Sequence, residues 1–261
     1  MKHSLAYLVV YVLVAAAGLS CFPSVTDSSE LATSEITCTF SVERVDDIIK
    51  AVAHFTIGPL VGRGNRPVVL TGGDEIAVNG VLLYPTAPAH SAHQPYATEL
   101  DVADVYTFTF TRPVRGTYTS TVTLPAEVSI LLPEEDAVAS RNADLDVQWV
   151  DNGGESISLL VEHELTRWIE REFIGGYVCL YLRDDVAEDL WGGVPDSGTY
   201  TLPAGGIQSA RDIYNATRCE CPDELPALLT LTRSATGDLD PALMGAINAT
   251  AWDAVHFASA P

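Results

Sequence analysis

Apolar and polar residues alternate along much of this chain with the two-residue period of a strand that buries one face. Ile36, Cys38, Phe40 and Val42 fall on one side of a first strand, and Thr37, Thr39, Ser41 and Glu43 on the other. Asp47 to Ile57 repeats the pattern less strictly. Asn79-Gly80 lies between Ile76 and Val78 on one side and Val81 and Leu83 on the other. That predicts a tight hairpin, because a type I′ turn demands positive φ at both central positions. Tyr106, Phe108 and Phe110 alternate with Thr107, Thr109 and Thr111. Tyr118, Ser120, Val122 and Leu124 alternate with Thr117, Thr119, Thr121 and Thr123. These are two half-buried strands, aromatic inside and threonine outside, joined by a turn at Arg112–Gly116.

Pro125 breaks the ladder, which divides the chain into a first β-sandwich over residues 36–124 and a second over 125–261. Strands in the second half are predicted at Val128–Leu132, Leu145–Trp149, Ile157–Val161, Val178–Leu182, Thr199–Leu202, Leu228–Thr232 and Ala254–Phe257. His163 to Glu172 reads as a short helix or a charged loop. Asp240-Pro241-Ala242-Leu243 reads as a single helical turn with Asp240 as cap. Many short strands between turn signals, with no sustained helical period, predict an all-β chain of two tandem antiparallel sandwiches.

Ahead of the first strand the pattern changes. Leu5 to Ala17 is an unbroken apolar run behind Lys2 and His3, with small residues and Cys21 after it. This is the layout of a secretory signal over residues 1–20. Two alternatives stand beside it. Ala15-Ala16-Ala17 offers an ordinary cleavage site that would release a soluble secreted protein. Retention of the run as an anchor needs about 17–25 apolar residues, and this run is at the short end. Residues 21–35 are polar and small and read as a flexible tether.

Export places the cysteines in an oxidising compartment. Apart from Cys21, the chain has Cys38, Cys179, Cys219 and Cys221, all disulfide candidates. Three of them lie in the C-terminal half, which favours a bridge from Cys179 to Cys219 or Cys221 without settling the pairing. Lys and Arg number 14 against 35 Asp and Glu, a formal charge of −21. So acidic a surface repels nucleic acid, which requires a basic footprint, and no nucleic-acid partner is expected.

Ala17-Gly18-Leu19-Ser20-Cys21 resembles the lipobox of bacterial lipoproteins. That resemblance implies acylation of Cys21, cleavage just before it, and a lipid bilayer as partner. The implied address is extracytoplasmic, at the outer membrane or cell surface, since no Asp follows Cys21. The second half resembles the Ig-like modules of uncharacterised bacterial cell-envelope lipoproteins. The residues that carry this are Leu124-Pro125 with Pro133, Ser140-Arg141, Asp144-Leu145 with Trp149, Asp196-Ser197-Gly198-Thr199-Tyr200, and Thr230-Leu231-Thr232-Arg233 followed by Gly237, Leu239 and Asp240. The first half looks like the companion module. The resemblance implies two tandem Ig-like sandwiches and no activity.

Candidate chemistry is sparse. His90 and His93 offer two imidazoles without a third ligand at fixed spacing. Glu162-His163-Glu164 lacks the second His of a metalloprotease helix. Asp144 with Asp146, and Asp238 with Asp240, are weak metal candidates, because calcium takes several oxygens and neither pair has the spacing of an EF-hand loop. Trp191, in Leu190-Trp191-Gly192-Gly193, is the candidate for ligand stacking, with core packing as the plainer reading. Neither a Gly-x-Ser-x-Gly elbow nor a phosphate loop occurs. No catalytic residue and no cofactor is expected, calcium aside. The sequence therefore reads as a lipid-anchored, non-enzymatic binding, adhesion or scaffold module whose partner is an extracytoplasmic protein or a glycan. A carbohydrate- or calcium-binding module, and a small secreted hydrolase built from distant acids, are the alternatives.

Overall fold

A computed structural model describes residues 25–45, 47–58, 66–86, 95–152, 156–173, 176–207 and 224–260, with backbone alone at 45 and 164–189. Among these residues the secondary structure is strand and short 3-10 turn. The first part holds β1 (Thr26–Asp27), β2 (Thr37–Val45), β3 (Ile48–Ile57), β4 (Arg66–Val69), β5 (Glu75–Val78), β6 (Val81–Leu82), β7 (Tyr84–Pro85), β8 (Tyr96–Leu100), β9 (Val105–Arg112) and β10 (Gly116–Thr123). The second holds β11 (Ile130–Leu132), β12 (Ala137–Ser140), β13 (Leu145–Trp149), β14 (Ser156–Phe173), β15 (Gly176–Pro195), β16 (Thr199–Leu202), β17 (Leu225–Thr236) and β18 (Met244–Ala260).

One long sheet runs in the order β1-β4-β3-β2-β18-β17-β14-β15. A four-stranded sheet, β10-β9-β5-β6, and a three-stranded sheet, β11-β13-β16, complete the fold. Strand β18 unites the two halves. From Met244 to Trp252 it pairs in parallel with β2, and from Asn248 to Ser259 it pairs antiparallel with β17. Its buried residues, from Ile247 to Ser259, are all odd-numbered. Ile247 and Ala249 enter the first core, while Ala251, Val255 and Phe257 enter the second. Side chains two apart on a strand share a face. Both small sheets must therefore cover the same face of the long one, end to end.

The first core is aromatic. Phe40 stacks on Phe108 at 4.8 Å between ring centroids, Phe55 meets Phe110 at 5.0 Å, and Phe55 meets Tyr96 edge-on at 5.7 Å. The second is mainly aliphatic, with Leu159, Val161, Leu229, Leu231 and Val147 around Trp149 and Phe257. Each such side chain stabilises the fold by about 1.5–3 kcal/mol relative to exposure.

The all-β plan and the two sandwiches match the alternation in sequence. The Asn79-Gly80 turn has φ of 48° and 83°, as a type I′ hairpin demands. Four expectations are corrected. First, the first core is not confined to residues 36–124, since Leu243, Ile247 and Ala249 belong to it. Parallel pairing needs a long crossover and leaves no local trace in sequence. Second, His163 to Glu172 is neither helix nor loop but part of the 18-residue strand β14. Third, Asp240–Leu243 is a turn, with the Ala242 amide donating to Asp240 Oδ1. Fourth, residues 26–35 are not a free tether: they form β1 and 3-10 turns at Ser28–Glu30 and Thr33–Glu35, folded against the first sandwich.

Candidate functional site

Tyr106, Phe108, Phe110 and Arg112 share one face of β9, so the alternation that buries three aromatics also drives an arginine inward. A buried guanidinium must find acceptors for its donors. Arg112 Nε donates to Asp74 Oδ2 at 2.9 Å and Nη1 to Thr33 Oγ1 at 3.0 Å. Nη2 donates to the carbonyls of Ser28 at 2.6 Å and Leu31 at 3.1 Å. Arg115 adds bonds to the carbonyls of Ser29 and Leu31. Tyr118 Oη shares a hydrogen bond with Thr33 Oγ1 and donates to the Arg115 carbonyl. The polar stretch 28–33 is thereby clamped to the end of the sandwich.

The same end gathers several other features. Met244 pairs with Thr37, whose hydroxyl donates to the Gly58 carbonyl at 2.9 Å. Asp240 accepts from the Thr119 amide, and its own amide donates to Ser120 Oγ. Strand β1 runs parallel to β4, with Thr26 opposite Val68. Pro67 pairs with Thr56, and Thr56 with Thr37. Val25 and Thr26, the first described residues, thus lie at this end. Two large apolar residues are open to water here: Val114, 95% exposed at the apex of the β9–β10 turn, and Met244, 50% exposed.

A second buried arginine sits where the sandwiches meet. Arg233 Nε donates to Asp196 Oδ2 at 2.6 Å and Nη2 to Asp196 Oδ1 at 2.9 Å and to the Val150 carbonyl at 2.8 Å. Trp149 Nε1 donates to the same Asp196 Oδ1 at 2.7 Å. Arg233 Nη1 also donates to the carbonyl of Glu127, whose carboxylate pairs with Arg44 at the far end of β2. Two arginines and two carboxylates therefore balance across the junction, and the Arg233–Asp196 pair has the bidentate geometry that makes such pairs strong.

At the opposite end from the clamp, β14 continues past its last partner in β17. His163 pairs with Ala227, and Leu225 lies opposite Ser259 near the end of β18. From Glu164 to Phe173, β14 pairs only with β15 among the described strands, giving a two-stranded ribbon that projects away from Met244. Ten residues at about 3.3 Å each make it roughly 33 Å long. At its base, Arg141 Nη1 donates to Ser259, and Ser259 Oγ lies 3.3 Å from His163 Nε2. A groove of about 470 Å³ beside it is lined by Asp136, Glu224, Pro226, His256 and Phe257. The Glu135 carboxylate accepts from the His256 amide, and the Asp136 amide donates to the His256 carbonyl. Another groove of about 390 Å³ lies beside Tyr84 and Tyr96 in the first sandwich.

Among the described residues, those singled out in sequence are not grouped as a metal site. Asp144 Oδ1 accepts from the Ala204 amide and Asp146 Oδ1 from the Thr201 hydroxyl, each bracing one turn or strand edge. Asp238 forms a backbone bridge with Thr121. Among the described residues no three His, Cys, Asp or Glu side chains are grouped to hold a metal ion. Trp191 is half-buried against the second core. Cys38, a disulfide candidate in sequence, is a free thiol inside the first core, where burial pushes its pKa up to about 12 against the lowering influence of Arg112. Cys179 is described in backbone only, opposite Glu170. Cys21, Cys219, Cys221, His90 and His93 lie outside the described residues. Among those described, no helix is long and apolar enough to cross a membrane. Sequence reasoning missed Arg112, although strand parity alone places it inward, and named Arg233 and Asp196 only as marks of the resemblance, without pairing them. It also missed Trp252, half-buried on the face of the long sheet turned away from both cores.

No protein-family model matches the chain, and no curated protein does. Among solved structures, one described as the crystal structure of DIP-gamma IG1+IG2 aligns over 86% of this chain and 98% of that one, at 8% identity and a TM-score of 0.20. A likeness at that score carries no argument about fold or function.

Proposed function

We propose that this protein is an extracytoplasmic, lipid-anchored binding or adhesion module that works without catalysis and carries a β-ribbon away from the membrane. One observation supports this above the rest. The first described residues, Val25 and Thr26, lie at one end of the fold, and the ribbon of β14 and β15 lies at the other. The shared strand β18, 17 residues or roughly 56 Å long at ordinary strand rise, holds the two ends apart. Acylation of Cys21 would then present the ribbon far from the bilayer. Among the described residues the ribbon has no third strand, and a two-stranded ribbon is marginal alone in water, which favours a surface stabilised by a protein or glycan partner.

Two experiments bear on the reading. Growth with an alkynyl fatty acid should label the wild-type chain and leave Cys21→Ala unlabelled; an unlabelled wild type contradicts the anchor. For the ribbon, Asn-Gly would replace residues 165–185, joining Glu164 to Val186, which already face each other. Vesicles bearing either protein would be passed over arrays of immobilised glycans and envelope proteins. Saturable binding lost in the shortened form, with its melting temperature retained, is expected. Equal binding by both forms, or none by either, contradicts the role of the ribbon.

A further inference from the structure

We infer that the clamped end of the first sandwich docks on the headgroup layer of the bilayer, with Val114 as its apolar contact. This rests on the anchored reading of Cys21 and adds an orientation to it. Three peptide residues separate Cys21 from Val25, the first described residue. From Cα to Cα that span reaches at most about 14 Å when fully extended. The first sandwich alone is longer, since the nine residues of β2 cover roughly 30 Å. A leash shorter than the body it holds cannot let that body turn over.

The clamp removes the remaining slack. Residues 28–31 are pinned by Arg112 and Arg115, and β1 is hydrogen-bonded into the edge of the long sheet. Val25, the first described residue, is therefore held at a fixed point at the same end as the β9–β10 turn. Val114 stands at the apex of that turn, 95% exposed between Pro113 and Arg115, and Met244 lies exposed at the same end. Arg115 reaches back to the carbonyls of Ser29 and Leu31. Glu30 and Glu35 are exposed nearby and would repel an anionic surface. The fitting partner is thus a zwitterionic headgroup layer, touched shallowly by one valine, with the acyl chains supplying the affinity. Leu190, also exposed, lies in the second sandwich and is carried away from the surface.

The test uses the full-length acylated protein in phosphatidylcholine vesicles. A genetically encoded coumarin amino acid replaces Val114 in one sample and Leu190 in another. Lipids spin-labelled at the headgroup should quench the probe at 114 several-fold more than the probe at 190. A Gly-Ser insert of about twelve residues after Ser24, long enough to act as a free coil, should abolish the difference. Equal quenching in protein that floats with the vesicles overturns the orientation while the anchor stands. A difference that survives the insert overturns the leash as its cause. Emission at 114 that follows the protein-to-lipid ratio instead of quencher content would assign this end to a second copy, and also overturns the proposal. Protein that neither floats nor carries acyl mass overturns the anchor itself, and the orientation with it.

Discussion

The two sandwiches each bury one arginine against one aspartate, and they use it for opposite purposes. Arg112 sits at the outer end of the first sandwich and ties down chain that would otherwise fray, through carbonyls of Ser28 and Leu31. Arg233 sits at the inner end of the second and ties the sandwiches together, through Asp196, Val150 and Glu127. The same fork-shaped donor thus fixes the chain before β2 in one place and a junction in the other. What it secures depends on which carbonyls the fold leaves without ladder partners. Stability should accordingly be concentrated at the junction, with the outer clamp controlling local order.

The largest effect is expected at the junction. Asp196→Ala leaves the Arg233 charge buried and Trp149 Nε1 without its acceptor. Removing one partner of such a pair costs about 3–5 kcal/mol. Urea unfolding should shift by that much and lose stability in both sandwiches together. Next comes Gly245→Ala. Gly245 lies in the C-terminal strand at φ of +134°, and an added Cβ would lie 1.7 Å from the Cys38 carbonyl oxygen. Strain and overpacking should together cost about 3 kcal/mol, with the loss appearing in the near-UV signal of the aromatic first core.

Arg112→Met leaves the buried Asp74 carboxylate without its partner and should cost about 3 kcal/mol. Its signature is new protease cleavage within residues 28–33, absent from Asp196→Ala at equal stability. Alkali should then separate the cores. Cys38, Tyr96 and Tyr106, all in the first core, have pKa values raised mainly by burial. Each is neutral in the fold, so its contribution is complete below the unfolded pKa and fades as pH rises through the folded one. For Cys38 that window runs from the ordinary 9.0 to about 12. The urea midpoint should fall between pH 8 and about pH 10.5, and Cys38→Val should remove part of the fall. The smallest effect belongs to Asp146→Asn, which should move stability by no more than about 0.5 kcal/mol and leave the response to calcium unchanged.

Much of the fold was legible because strand parity is a local signal. The Tyr/Phe/Thr strands, the Asn-Gly turn and the inner face of β2 follow from residues two apart. Local signals also misled. The glutamates and arginines between Glu162 and Glu172 fall three and four apart as well as two, so a strand wore the charges of a helix face. The Ser/Thr/Glu stretch ahead of Ile36 has the composition of a linker, yet its carbonyls are what Arg112 needs. Least legible was the pairing of β2 with β18. Nothing in Thr37–Val45 announces a neighbour roughly two hundred residues later, since parallel partners share no turn. The site was legible only as scattered residues. Asp144, Asp146 and Asp240 accept hydrogen bonds that brace turns and strand edges, a role that their spacing in sequence does not announce.

The central claim is that β18 completes the first sandwich as well as the second. The most direct measurement is equilibrium unfolding of residues 25–124 expressed alone. That segment lacks Leu243, Ile247 and Ala249 and leaves the edge of β2 open. The account predicts no cooperative transition and no fixed near-UV aromatic signal. A sharp two-state transition with the aromatic signal of the whole protein would contradict it.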